Sequence, residues 1–143
     1  MSQEYLLQGS VLDDSVDILL HRLRGMSDNS EDASLKFREH EVVYSMREPN
    51  NTGIVSIRVK RSLTSSNQPW TICYLGHPEL GDQKRPTTVR TCIEASCSPN
   101  VCAFLTELGF RTDYEYVAQG WRFRKNRLEA TVSKIFKITN PPN

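Results

Sequence analysis

The spacing of hydrophobic residues changes along the chain, and near the N-terminus it is helical. The apolar positions there are Val16, Leu19, Leu20 and Leu23. Side chains spaced in this way share one side of a helix, so the pattern predicts an amphipathic helix lying on a core. Asp14 is suited to cap its N-terminus, and Gly25 is suited to end it.

A second helix is predicted in the C-terminal half. Ser98 offers an N-cap and Pro99 fits the first turn, while Gly109 is suited to close the helix. The apolar residues between them again have helical spacing: Val101, Phe104, Leu105 and Leu108. Both helices are short and amphipathic, which is typical of helices that cover a sheet.

Most of the remaining chain has a period of two, which is typical of half-buried antiparallel strands. In one segment Val55, Ile57 and Val59 alternate with polar or charged residues. We predict a tight turn at Gln119-Gly120, between two short strands. The predicted strands are residues 5–9, 41–47, 54–61, 70–75, 87–95, 114–118, 121–125 and 128–138.

This order of strands and two helices lacks the regular alternation of a parallel α/β fold. We therefore predict an α+β fold, a mostly antiparallel curled sheet or β-barrel with two helices. The 143 residues are enough for one hydrophobic core. We expect a single β-barrel-type domain over residues 1–143.

Composition excludes several classes of protein. With 38% hydrophobic and 24% charged residues, the chain is not expected to be disordered. A net charge of +1 argues against a protein that coats nucleic acid through bulk charge. No apolar run approaches the roughly 20 residues of a membrane-spanning helix. The N-terminus lacks the features of a secretory signal, so we expect an intracellular protein without a membrane partner.

The four cysteines are Cys73, Cys92, Cys97 and Cys102. A structural zinc site normally needs two closely spaced ligand pairs, and only Cys97 and Cys102 approximate one. We expect buried, reduced thiols that behave as small hydrophobic residues, with no metal site and no disulfide.

Two acidic residues form the most suggestive local cluster. Glu39 and Glu41 are two residues apart, so in a strand they point to the same side. Such a pair could hold a divalent cation through carboxylate oxygens, or it could simply line a solvated strand edge. Because phosphate-binding loops, nucleophile elbows and zinc-protease motifs are absent from the sequence, we assign no catalytic residue and expect neither an enzyme nor a cofactor.

A basic stretch near residue 121 is the other candidate site. In a strand, Trp121 and Phe123 would point to one side and the arginines to the other. Aromatic residues interleaved with cations can bind nucleic acid, but only when both share an exposed face. Direct nucleic-acid binding is therefore the less favoured interpretation. A basic face for an acidic protein partner is the alternative, and the candidate contact residues are Arg122, Arg124, Lys125 and Arg127.

An ordered set of segments over nearly the whole chain resembles the family of subunit 18 of the Mediator complex. They include Glu4-Tyr5-Leu6-Leu7-Gln8-Gly9-Ser10-Val11-Leu12, His21-Arg22-Leu23-Arg24-Gly25, Tyr74-Leu75-Gly76, Glu107-Leu108-Gly109-Phe110-Arg111, Phe123-Arg124-Lys125 and Lys134-Ile135-Phe136. The resemblance implies a β-barrel in the Mediator head module and a non-catalytic scaffold of the nuclear coactivator that regulates RNA polymerase II. The partners it implies are subunit 20, the C-terminal helix of subunit 8 and, through the complex, the RNA polymerase II machinery.

The implied barrel is similar to that of triphosphate-tunnel phosphohydrolases, which carry an E-x-E-x-K strand. Here Glu39 and Glu41 are followed by Val43 in place of lysine. The hydrolase chemistry therefore looks absent, although such an enzyme, or a nucleic-acid-binding module, is the alternative function.

Members of the family normally continue through further strands, whereas this chain ends at Asn143. We therefore expect a C-terminally shortened chain with residues 128–138 at an open sheet edge. Such an edge can pair with another strand.

Overall fold

The fold is known from a computed structural model that describes residues 2–28, 34–50, 53–79 and 86–138. A 3-10 turn at Asp13–Ser15 precedes the first helix. The elements are β1 (Ser2–Leu6), α1 (Val16–Met26), β2 (Ser34–Arg47), β3 (Ile54–Ser62), β4 (Trp70–Leu75), β5 (Thr88–Cys97), α2 (Val101–Glu107), β6 (Arg111–Lys125) and β7 (Leu128–Ile138). None of the helices in these ranges has the length and hydrophobicity of a membrane-spanning segment.

All seven strands belong to one antiparallel sheet with the order β1-β5-β4-β3-β2-β6-β7. The sheet curls into a half-barrel, which confirms the predicted α+β class with two helices. Over the described residues, β1 and β7 are the two edges of the sheet. Leu128–Ile138 therefore forms an edge strand, as predicted.

The alternation along the strands gives the sheet two different faces. One face, which we call the concave face, carries charged residues such as Glu39, Arg122 and Glu94. Glu94 on β5 and Arg122 on β6 lie four strands apart in the sheet order yet line one pocket, so the sheet curls around this face. The other face, which we call the helix face, is mainly apolar and is covered by the helices.

The core on the helix face is built around α2. Leu105 of this helix, 1% exposed, packs with Tyr44, Val59 and Phe110. The partly buried apolar residues around this cluster are Val42, Met46, Val55, Ile57, Trp70, Ile72, Val101 and Cys102. The predicted apolar side of the 54–61 strand is thus confirmed as a core-facing side.

The helix α1 lies against β6. Leu20 is buried, and the rest of its predicted apolar stripe is partly buried. The predicted ends of this helix are wrong. Asp14 lies in the 3-10 turn without capping the helix, and Gly25 is an ordinary helical residue. The helix ends at Ser27 instead, whose backbone N–H and hydroxyl both donate to the carbonyl of Leu23.

The helix α2 ends as predicted. Gly109 has φ +105°, a left-handed conformation that favours glycine. Its N–H donates to the carbonyl of Thr106, and the N–H of Phe110 donates to that of Leu105. This reversal places Phe110 in the core. At the other end Asn100, not the predicted Ser98, is the N-cap residue, and no side chain caps the helix.

The predicted turn at Gln119-Gly120 is wrong, because β6 runs unbroken through both residues. Gly120 lies between Phe37 of β2 and Ser133 of β7. A Cβ at this position would collide with the Val132 carbonyl oxygen, so glycine is needed here for close backbone packing. β2 likewise begins at Ser34, earlier than predicted, because its first half pairs with the second half of β6.

The remaining strand boundaries agree closely with the sequence prediction, except that β1 is shifted three residues towards the N-terminus. The turn between β6 and β7 places Asn126 at φ 54°. Asparagine tolerates this left-handed conformation better than most residues. The short turn lets β7 continue directly along β6.

We expect Gly120→Ala to lower the free energy of unfolding by about 1–3 kcal/mol, because the new methyl group would overlap backbone atoms of β7. Gly25→Ala is the matched control. It has open space around its Cα in α1 and should raise the free energy of unfolding by roughly 0.5–1 kcal/mol. Urea denaturation of both variants measures the difference. Equal stability of the two variants would contradict the proposed close contact at Gly120.

Candidate functional site

The concave face holds a pocket of about 250 Å³ that is lined mostly by charged residues. β2, β3, β4, β5, β6 and β7 each contribute to it. The charged lining residues are Glu39, Lys60, Arg61, Glu94, Arg122, Arg124 and Glu129. Since acids and bases are mixed, the pocket has no strong preference for one sign of charge.

Next to this pocket lies Glu41, the one buried charged residue among those described. The residue is 8% exposed. Nη1 of Arg58 donates to its Oε1 at 3.1 Å and also contacts the hydroxyl of Tyr116 at 3.3 Å. Burial alone would lower the pKa of Arg58, but the hydrogen bond and charge of Glu41 raise it overall. Burial and the Glu41 carboxylate likewise raise the pKa of Tyr116. Both raised pKa values keep Arg58 protonated and charged and Tyr116 protonated and neutral near neutral pH.

Arg122 links three strands of the sheet. Its guanidinium lies over the Phe37 ring, with Cζ 4.4 Å from the ring centroid. Both terminal nitrogens donate to Oε1 of Glu39 at 3.3 Å. Nε is 3.2 Å from Oε1 of Glu129, close enough for ionic attraction but without hydrogen-bond geometry. Arg124 contacts the same carboxylate at 3.4 Å.

These contacts bear directly on the hypothesis of a cation between Glu39 and Glu41. The two side chains lie on the same face, as predicted. However, each carboxylate already has an arginine partner, Arg122 for Glu39 and Arg58 for Glu41. The glutamates thus contribute to cross-strand ion pairs. Sequence analysis did not single out Arg58 or Tyr116, because their pairing depends on strand register.

The four predicted contact residues of the basic stretch do not share one surface. Arg122 and Arg124 lie on the concave face. Lys125 and Arg127 are exposed at the turn that connects β6 to β7. Trp121 and Phe123 point to the opposite face from the arginines, as predicted, and Phe123 is 3% exposed. A nucleic acid whose bases stacked on these aromatic residues would therefore lie on the opposite face of the sheet from the arginines.

The helix face has a second pocket, of about 330 Å³, beside α2. In it Nε2 of His40 is 2.8 Å from Oε2 of Glu115, and Nδ1 accepts a hydrogen bond from Nε of Arg61 at 3.1 Å. A histidine that accepts at Nδ1 carries its proton on Nε2, so His40 donates to Glu115. The Arg61 guanidinium also lies 5.3 Å from the centre of the Trp70 ring. Sequence patterns do not reveal this chain of contacts, since its members come from four different strands, β2, β3, β4 and β6.

The comparisons with known proteins agree with the fold. The family model described as Med18 protein matches residues 3–64 and 50–143. The chain is 46% identical over 140 residues to Mediator of RNA polymerase II transcription subunit 18 of Aedes aegypti, covering 97% of this chain and 65% of the relative. The same subunit of Drosophila melanogaster is 47% identical over 135 residues, covering 94% of this chain and 61% of the relative. The chain thus spans less than two thirds of the length of these relatives.

Solved structures show the same architecture. A chain in the structure of the Schizosaccharomyces pombe Mediator head module is similar with a TM-score of 0.73 and 20% identity, covering 94% of this chain and 68% of that one. The PH1819 protein from Pyrococcus horikoshii OT3 is similar with a TM-score of 0.58 and 17% identity, covering 93% of this chain and 70% of that one. At these identities the likeness establishes the fold.

We expect Arg58→Met to lower the free energy of unfolding by about 1–3 kcal/mol, because it leaves the buried Glu41 carboxylate without a cation. Lys60→Met on the same strand is the control. Lys60 is 4.0 Å from Glu94, whose side chain is 54% exposed, so its loss should change stability by less than about 0.5 kcal/mol. Urea denaturation at neutral pH compares them. Equal effects would show that Glu41 does not depend on Arg58.

We also expect stability to fall in alkali. Burial, followed by a hydrogen bond with Cys102, raises the pKa of Tyr44 from 10.0 to about 12. A phenol with a raised pKa stabilises the fold fully below pH 10, and this contribution disappears as the pH rises towards 12. Replacing Tyr44 by Phe should therefore reduce the loss of stability between pH 9 and 11 by about 1 kcal/mol.

The control for this experiment is Tyr5→Phe, since Tyr5 is 67% exposed. Denaturant unfolding at pH 9 and pH 11 measures the difference in unfolding free energy between each variant and the unmodified chain, which gives four values. If Tyr44→Phe and Tyr5→Phe lose the same stability on alkalinisation, then the buried Tyr44 hydroxyl does not titrate as its surroundings indicate.

Proposed function

The chain belongs to the Med18 family, and on this premise we propose that it is a non-catalytic scaffold subunit of the Mediator of RNA polymerase II transcription. It acts in the nucleus through protein–protein contacts. The curated relatives at 46% and 47% identity carry the subunit 18 name. The fold shared with a chain of the S. pombe Mediator head module supports the same assignment.

The observation that carries the non-catalytic part of this proposal is the pairing on the concave face. A hydrolase acting there would need acidic or basic groups that are free to bind a substrate or a metal ion. Glu39 and Glu41 instead contact Arg122 and Arg58. Their charges therefore serve to hold neighbouring strands together.

The proposed partners are Mediator subunit 20 and the C-terminal helix of subunit 8, with the RNA polymerase II machinery reached through the complex. Large apolar side chains are exposed at both sheet edges and after β1, which is typical of interaction surfaces. They include Tyr5 at 67%, Leu7 at 72%, Leu12 at 79%, Leu128 at 74% and Ile135 at 61%. We infer that partner subunits bury these side chains, and a stable interface of this kind covers more than about 2,000 Å².

The exposed cations at one end of β6 are proposed as additional contacts. We call Arg124, Lys125 and Arg127 the basic tip. All three are exposed, whereas Arg122 is largely engaged by Glu39 and Glu129. The basic tip is suited to an acidic segment of a partner and affects mainly the rate and specificity of association.

Co-expression with subunits 20 and 8 tests the proposal. We expect the chain to co-purify with them as a stoichiometric complex. Reversing the charges of the basic tip (Arg124→Glu, Lys125→Glu and Arg127→Glu) should weaken the complex and reduce the salt dependence of its formation. Size-exclusion chromatography and binding measurements at two salt concentrations provide the readout.

Arg111→Glu is the matched control, because Arg111 is an exposed cation at the opposite end of the same strand. A folded chain that binds neither subunit would overturn the scaffold proposal. Tight, salt-sensitive binding to DNA or RNA that requires the basic tip would replace the partner contact with a nucleic-acid contact.

A further inference from the structure

Two thiols and a carboxylate converge on the concave face, on the side of Arg58 that lies away from Glu41, since Cys73 is opposite Arg58 in the register of β3 and β4. The Sγ atoms of Cys73 and Cys92 and a carboxylate oxygen of Glu94 all lie within 4.8 Å of one another. Among the described residues this is the one group of three or more His, Cys, Asp or Glu side chains with such spacing.

The strand register explains the convergence. Cys73 of β4 lies directly opposite Glu94 of β5, and Leu75 lies opposite Cys92. Cys92 is therefore the diagonal neighbour of Cys73, and the alternation of both strands sends all three side chains to the same face. The cysteines are 19 positions apart in sequence, so no short ligand motif could reveal them.

We propose that Cys73, Cys92 and Glu94 form a binding site for zinc or a chemically similar divalent cation. Thiolate sulfur and carboxylate oxygen are both zinc ligands, and zinc favours four tetrahedrally arranged ligands. Three side chains leave the fourth position for water or another ligand. Two sulfur donors select against magnesium and calcium, which require oxygen ligands.

The surroundings allow the site to be loaded. Binding releases one proton from each thiol, and the two thiolates and one carboxylate then offset the charge of the cation. Lys60 is 4.0 Å from Glu94, whose side chain is 54% exposed, so the carboxylate is not tightly held by this contact. Cys73 is 2% exposed, whereas Cys92 is only partly buried and Glu94 is exposed. The cation can therefore approach from the Cys92 and Glu94 side.

The same two thiols could instead oxidise to a disulfide, so the test begins with fully reduced protein. Zinc and cobalt(II) are added separately to the chain and their binding is measured by calorimetry and absorption spectroscopy. We expect one equivalent of either metal, release of protons, and a thiolate-to-cobalt charge-transfer band. Mutation of a residue that only supports a metal ligand typically lowers metal affinity 10–100-fold. Cys92→Ser and Glu94→Gln each replace a proposed ligand itself, so each should weaken metal binding by about 100-fold or more.

Cys97→Ser is the matched control, because Cys97 is also partly buried on β5 but is not among the three clustered side chains. Its metal affinity should equal that of the unmodified chain. Absence of binding, full binding by a folded Cys92→Ser protein, or loss of binding in Cys97→Ser would each overturn the proposal. Circular dichroism shows whether each variant is folded, and the partly buried Cys92 and exposed Glu94 are chosen because their replacement spares the buried Cys73.

Discussion

The pairing of β2 with β6 is the constraint on which the rest of the structure depends. β2 also pairs with β3, so its alternation determines which side chains of three strands face the helices and which face the pocket. A slip of one residue would exchange the two faces of β6. Arg122 would then enter the apolar core, and Phe123 would lie among the charges of the concave face. The close backbone contact at Gly120 adds a steric requirement to this register.

With this register in place, the concave face is stable although it is charged. A half-buried carboxylate is costly unless a cation and hydrogen bonds compensate for the lost water. Glu39 and Glu41 obtain this compensation from different arginines, each on a neighbouring strand. The ion pairs therefore cross-link the middle of the sheet.

The two ends of the sheet are organised differently from its centre. The described edge strands β1 and β7 carry several of the most exposed apolar side chains, whereas the buried apolar strand residues belong to the strands between them. This arrangement is consistent with the proposed binding of partner proteins, since the packed central strands hold the exposed apolar surfaces of the two edges in fixed positions. On β4 and β5 the concave face also carries the thiols of Cys73 and Cys92.

The sequence by itself determined the features that depend on neighbouring residues. The alternation around Val59, the helical spacing around Leu20 and Leu105, and Gly109 at the end of α2 were all predicted, because strand and helix periods and local turn conformations are encoded over a few residues. Tertiary structure decided what depends on register between distant segments. It made Gly120 a close-packing position within a strand, it paired Glu41 with Arg58, and it placed the Cys73 thiol next to the Cys92 thiol. Local pattern leaves such pairings open because the partner of each residue is chosen by the whole sheet.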